Sequence, residues 1–203
     1  RLGLGAEALA REHPGLVYCS ISAYGQTGPY AGHAGVDGIV QADSGLMSLI
    51  GLEGAEPCKV QAPVVDVMTG YVAAMAVLAK LAQRSREGQG GHLDVNLLNC
   101  ALALQQPSLA SYFADGQLPV RAGSAAPYSA PNQAFRTKDG WIMVAAYMPE
   151  RWTRLCALLG LEHLAKDSRF AGSPQRVAHR AAMVEALTEV LATRTTEEWL
   201  AVL

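Results

Sequence analysis

Apolar positions change period along the chain, and the changes mark out its elements. Residues 2–12 have a helical pattern that stops at His13-Pro14-Gly15, because proline cannot continue helical hydrogen bonding and glycine ends it. Leu16 to Ser22 reads as a buried strand. Ala23 to Ala34 is rich in glycine, with a proline and two tyrosines, a composition for a shaped loop at a strand end, where α/β folds commonly hold ligands. Helical spacing returns from Val36 to Ile50, and Gly51 to Gln61 is a polar connection. A long helix over Val67 to Arg84 follows, with Val72, Met75, Ala76, Leu78, Ala79 and Ala82 available for packing. Arg86 to Gly91 is a glycine-rich exit, and His92 to Val95 reads as a strand running into an apolar helix broken near Pro107. This helix, loop and strand succession predicts α/β architecture.

From Tyr112 to Ala130 the periodicity dissolves into Gly, Pro, Ser and Ala, which predicts a linker between two domains. Gln133 to Arg136 and Trp141 to Ala145 read as two strands around Thr137-Lys138-Asp139-Gly140, where Asp-Gly suits the positive φ of a tight hairpin. The remainder is helical, with turns expected near Gly160 and Ser173-Pro174, and Thr195 with Glu198 three positions on reads as a helix cap. The first residues look like an entry in mid-fold and the last like a helix cut short, so both ends read as those of a segment of a longer protein.

Composition narrows the class. Of 203 residues half are apolar and 17% charged, which fits a packed globular enzyme with an alanine-rich core. The 16 basic and 18 acidic residues alternate in sign, leaving no broad electropositive face for nucleic acid. Cys19, Cys58, Cys100 and Cys156 lack the spacing of a zinc or redox motif and are expected to be reduced, buried thiols in a cytoplasmic protein. No apolar run reads as long enough for a membrane span.

Among candidates for chemistry, Asp66 stands out as a lone carboxylate between apolar residues at the start of the long helix. Two readings are open and compatible: it caps the helix by accepting first-turn amides, or it is a carboxylate nucleophile held by the same donors. Asp37 and Asp43 could pair with it as acid and base, though a short surface carboxylate is usually solvated. His33 could act as a base in the glycine-rich loop, although loop histidines are mostly inert. The other histidines show no metal-ligand spacing, so no metal is expected. Arg86 to Gly91 lacks the Gly-Lys-Ser/Thr ending of a phosphate loop. Tyr24, Tyr30 and Tyr128 could border a cleft, and Trp141, Trp152 and Trp199 sit where packing is expected.

The ordered set of segments resembles family III (CaiB/BaiF-like) CoA-transferases. Arg1-Leu2-Gly3-Leu4, the Leu16 to Ser22 strand, Tyr24-Gly25-Gln26-Thr27-Gly28-Pro29-Tyr30, and Val36-Asp37-Gly38 through Ser44-Gly45-Leu46-Met47-Ser48 carry the likeness. The Asp66 helix, Gly88-Gln89-Gly90-Gly91 before Leu93-Asp94-Val95, Lys138-Asp139-Gly140 and Asp167-Ser168-Arg169-Phe170 continue it. No single motif is specific; their order and spacing are.

The resemblance implies part of a large nucleotide-binding-type α/β domain at 1–111, a linker at 112–131 and an incomplete small α+β domain at 132–203, in an interlocked homodimer. It implies acyl-CoA and carboxylic acid substrates, with coenzyme A entering as part of the substrate and no tightly bound cofactor. Asp66 falls at the nucleophile's position, Arg1 where an arginine contacts CoA, and Leu97 where an apolar residue lines the same ligand. The racemase branch needs histidine where this chain has Val36, which argues against the alternative of an α-methylacyl-CoA racemase-like isomerase. A non-catalytic dimerising paralogue is a further alternative. The lid over the acyl group is glycine-rich in the family, whereas Gly123 to Pro131 contains one glycine.

Overall fold

The computed structural model of the chain describes residues 3–203, and these separate into two compact units. The first comprises residues up to Ile50 together with Gly54–Arg121, and the second comprises Gly51–Glu53 and Ala122–Leu203.

In the first unit, helix α1 (Ala6–Glu12) leads into strand β1 (Val17–Ser22). Helix α2 (Asp37–Asp43) and a separate 3-10 turn (Leu46–Leu49) replace the single helix expected over Val36 to Ile50. The break is at Gly45, whose φ of 80° lies in the left-handed region that glycine tolerates and a continuing helix does not. Helix α3 (Val64–Glu87) runs 24 residues and ends on Gly88 at φ 75°. Strand β2 (Gly91–Asn96) then pairs in parallel with β1, Val17 opposite Gly91 through Ser22 opposite Asn96. Helices α4 (Leu97–Leu104) and α5 (Gln106–Asp115) follow. Helix α5 runs into the segment expected to be linker, because its backbone stays helical until Gly116 turns left-handed at φ 72°.

Helix α3 corrects two expectations. It is long and apolar enough by length and composition to cross a membrane, yet it packs against β1, β2 and α4 as a layer of the unit. Its buried stripe is Val65, Thr69 and Ala73, spaced four apart, whereas Met75 and Leu78 are exposed. Val65 joins Ala23, Val40, Leu97 and Ala101 in one apolar cluster. Ala73 joins Val95 and Cys100 in another.

The second unit opens on the antiparallel hairpin of β3 (Asn132–Arg136) and β4 (Trp141–Ala145). The turn between them is closed by Thr137, whose amide donates to Gly140 O at 2.9 Å and whose hydroxyl accepts from Gly140 N at 3.0 Å. Neither Asp139 nor Gly140 has a positive φ, so this turn does not need the backbone freedom the sequence suggested. A side chain at Gly140 would instead meet the Thr196 hydroxyl at 3.3 Å. Helices α6 (Pro149–Leu158), α7 (Glu162–Lys166), α8 (Ser173–Ala178), α9 (Arg180–Leu191) and α10 (Thr196–Leu200) complete the unit. Ser173-Pro174 starts α8 rather than making a turn, since proline is accommodated in a helix's first turn.

One face of the hairpin supplies Phe135, Ile142 and Val144 to a core with Trp152, Leu155, Met183, Leu187, Leu191 and Trp199. Trp141, expected to pack, lies on the opposite face, 61% exposed, with Arg136 5.8 Å from its ring centre. The strand's alternation decides this: Ile142 and Val144 point inward, so Trp141 points out. The four cysteines are unpaired thiols; Cys100 and Cys156 are buried, but Cys19 is half-buried and Cys58 exposed.

Candidate active site

The start of α3 poses a local problem. Its first-turn amides need acceptors, and the residue at its cap position, Pro63, has no polar side chain. Val64 N donates to Ala62 O at 2.8 Å, and Val67 N closes the first helical bond to Pro63 O at 3.0 Å. The two amides between them are met from another element. Asp37 Oδ2, at the first position of α2, accepts from Val65 N at 2.9 Å and from Asp66 N at 3.2 Å.

The capping role that composition suggested for Asp66 is therefore filled by Asp37. Asp37 is buried, contrary to its reading as a solvated surface group. Its other oxygen accepts from Gln41 Nε2 at 2.5 Å, one turn along α2. Gln41, fully buried, also pairs with the backbone of Val60: its Oε1 accepts from Val60 N at 2.9 Å and its Nε2 donates to Val60 O at 3.2 Å. Asp66 itself is exposed, and its carboxylate has no hydrogen-bond partner among the described residues. An unpartnered carboxylate on a helix's first turn, flanked by Val65 and Val67 and tied at its own amide, is free to meet an electrophile.

Leu97 is buried at the start of α4 in the same apolar cluster as Val65. Asn96 orders that helix by accepting from Asn99 N at 2.8 Å. Arg1 lies outside the described residues. Val36, immediately before Asp37, is 68% exposed and offers no titratable group.

Asp43, at the far end of α2, does not join Asp66 but accepts from the Tyr24 hydroxyl at 2.5 Å. With Tyr30, His33 and Leu98 this pair lines an open cleft of about 280 Å³. The rings of Tyr24, Tyr30 and His33 pack on one another at centroid distances of 5.2 to 6.3 Å. Tyr24 reaches this position because Gly35 has no side chain; a Cβ there would sit 2.8 Å from Ala23 Cβ and 3.2 Å from the Tyr24 ring. The hydrogen bond to Asp43, then burial and the charge of Asp43, push the Tyr24 phenol above its ordinary value. Tyr128 belongs to the second unit and is exposed.

The glycine-rich loop after β1 is fixed from the sheet's polar face. Asp94 Oδ2 accepts from Gln26 N at 2.9 Å, and the Ser22 hydroxyl accepts from Gly25 N at 3.0 Å. Sequence reasoning missed Asp37 and Gln41 as organisers of the Asp66 turn. The available signal was their spacing of four on one helix, which places both on one face.

Comparison with known proteins brings the same segments together. The description "CoA-transferase family III" matches residues 1–203. The succinate–glutarate CoA-transferase of Agrobacterium fabrum is 39% identical over 180 residues, 89% of this chain and 45% of that protein. The acetyl-CoA:oxalate CoA-transferase of Acetobacter aceti is 34% identical over 204 residues, 100% of this chain and 52% of that protein. Among solved structures, a CAIB/BAIF family protein from Brucella suis matches with a TM-score of 0.79 at 38% identity, covering 98% of this chain and 53% of that one. The chain spans about half the length of the curated relatives it matches.

Proposed function

The chain belongs to family III of the CoA-transferases, and from that premise we propose that the full-length protein moves coenzyme A from an acyl-CoA to a carboxylic acid, with Asp66 as nucleophile. The observation that carries this reading is the exposed Asp66 carboxylate on the first turn of α3, relieved of capping by Asp37.

In the proposed sequence the Asp66 carboxylate attacks the thioester carbonyl. A C–O bond forms, the C–S bond breaks, and CoA leaves as thiolate from a mixed anhydride. The thiolate attacks the aspartyl carbonyl of that anhydride, forming an aspartyl-CoA thioester and expelling the donor acid as carboxylate. The acceptor carboxylate attacks the thioester and releases the thiolate again. That thiolate takes the acceptor's acyl group, and Asp66 returns as carboxylate. Each step exchanges one acyl bond for another, so thioester energy is conserved without a nucleotide. Arg1 and Leu97 are the proposed contacts to the CoA portion of the substrate. The proposed assembly is a cytoplasmic homodimer.

Hydroxylamine added during turnover of the full-length protein with an acyl-CoA should convert Asp66 to a hydroxamate visible by peptide mass spectrometry. Mass spectrometry of the CoA esters should show the acceptor acid acquiring CoA. Full activity in Asp66→Ala, with no adduct in the wild type, would overturn the reading.

A further inference from the structure

Asp37 is an expensive way to cap a helix. Serine, threonine or asparagine accepts first-turn amides without carrying a charge out of water. Here a carboxylate 7% exposed does so, with no cationic side chain in ion-pair contact among the described residues. Asp37 and Gln41 together make four described hydrogen bonds to the entry of α3. Asp37 holds the amides of Val65 and Asp66, and Gln41 holds both backbone groups of Val60. Two side chains from one face of α2 thus grip the segment at its start and at Asp66 itself. The short bond between Asp37 and Gln41 locks the pair, because Asp37 Oδ1 accepts from the Gln41 amide and so orients it with its nitrogen inward. That orientation is the one in which Gln41 can also match Val60 N and O.

We propose that Asp37, oriented by Gln41, is a positioning residue for the CoA-transfer reaction: it fixes the backbone at Asp66 so that the nucleophile's carboxylate projects in a single direction. The inference rests on the reading of Asp66 as nucleophile. The carboxylate matters because both of its oxygens accept, whereas an asparagine at the same place presents an amide nitrogen either to Gln41 Nε2 or to the α3 amides. Either choice sets donor against donor and releases one end of the grip.

The test uses the full-length protein with an acyl-CoA and an acceptor acid. Asp37→Asn should lower kcat about 100-fold, the effect expected when a reacting group is displaced by about an ångström. KM for the acyl-CoA should stay within about 2-fold, because a backbone clamp at Asp66 makes no uniform binding contact. Hydroxamate formation at Asp66 should slow in parallel. A merely structural role would reduce the folded fraction and leave kcat per folded molecule unchanged, and that result overturns the proposal. If Asp37→Asn does not fold by circular dichroism, Gln41→Ala decides. It keeps the Asp37 acceptors but frees Val60, and about a 10-fold fall in kcat at unchanged KM is expected; wild-type kcat in Gln41→Ala overturns the proposal. The underlying reading fails separately, through an active Asp66→Ala with no wild-type adduct.

Discussion

The hydroxyl of Tyr24 and the carboxylate of Asp43 share a hydrogen bond of 2.5 Å. This bond joins the loop after β1 to the last turn of α2 and gives the loop a measurable titration. Accepting the phenol proton bond and carrying a negative charge, Asp43 holds Tyr24 in its neutral form, so the phenol ionises above its ordinary 10.0. The linkage follows in sign: the folded value is raised, so the stabilisation is full below 10.0 and is lost as pH rises through the raised folded value. Absorbance titration of phenolate in wild type and Asp43→Ala, with Tyr24→Phe identifying the step, should show the Tyr24 transition moving down in Asp43→Ala. An unmoved transition would contradict the assigned cause.

Arg176 should be among the side chains on which the second unit most depends. It is fully buried, and its guanidinium donates to Ala130 O at 2.6 Å, Phe170 O at 2.8 Å and Tyr147 O at 2.6 Å. Its Cζ lies 5.0 Å from the Trp152 ring centre. Arg176→Met fills the space but leaves three carbonyls without their donor, and a loss of about 3 kcal/mol is expected from such orphaned groups. Arg176→Lys should lose less, since an ammonium keeps the charge but cannot reproduce the planar fork. Denaturant unfolding that ranks Lys at or below Met would show that the carbonyl contacts contribute little.

What the sequence disclosed of all this follows the range of each interaction. The cap of α10 was legible because Thr195 and Glu198 are three apart: Glu198 N donates to Thr195 Oγ1 at 3.2 Å, and Thr195 N to Glu198 Oε2 at 2.8 Å. The hairpin strands and the long α3 were legible through apolar periods within single elements. Asp37 was not, because its partners lie 28 and 29 residues away and nothing local says that α2 presents its first residue to the start of α3. The same limit explains Trp141, whose outward side depends on which face of the hairpin meets Met183 and Leu187. Asp66 was picked out correctly as a helix-start carboxylate, but composition assigned its amides to its own side chain.

Thiol reactivity should separate the cysteines by environment. Burial pushes the Cys156 thiol up to about 11, against a smaller opposing pull from Arg176. Cys58 is exposed. Because the thiolate is the reacting species, iodoacetamide under native conditions should label Cys58 promptly and leave Cys156 unmodified until the chain unfolds. Peptide mass spectrometry over a time course reads both sites at once. Comparable native rates at the two would mean that the core around Cys156 opens readily.

Acid should destabilise the second unit through three of its carboxylates. Asp139 Oδ1 accepts from Thr196 N at 2.8 Å, from Thr196 Oγ1 at 3.1 Å and from Thr137 Oγ1 at 3.2 Å, tying the hairpin turn to the start of α10. The Thr196 amide, with the hydroxyls of Thr196 and Thr137, holds the Asp139 carboxyl below its ordinary 3.8. Glu198 is held below 4.5 chiefly by the Thr195 amide and hydroxyl, and Asp167 below 3.8 chiefly by Arg169. All three folded values are depressed, so their stabilisation is present above the ordinary carboxylate range and is lost as pH falls through the folded values. Thermal unfolding from neutral to acid pH should therefore show a falling midpoint in that window. Asp139→Asn keeps an acceptor for Thr196 N but cannot ionise, so its midpoint should lie below wild type at neutral pH and converge with it in acid, giving a shallower fall. Identical slopes for the two proteins would remove Asp139 from the acid response and leave it to Glu198 and Asp167. That outcome would also mean the tie between the hairpin turn and α10 holds equally well with a neutral acceptor.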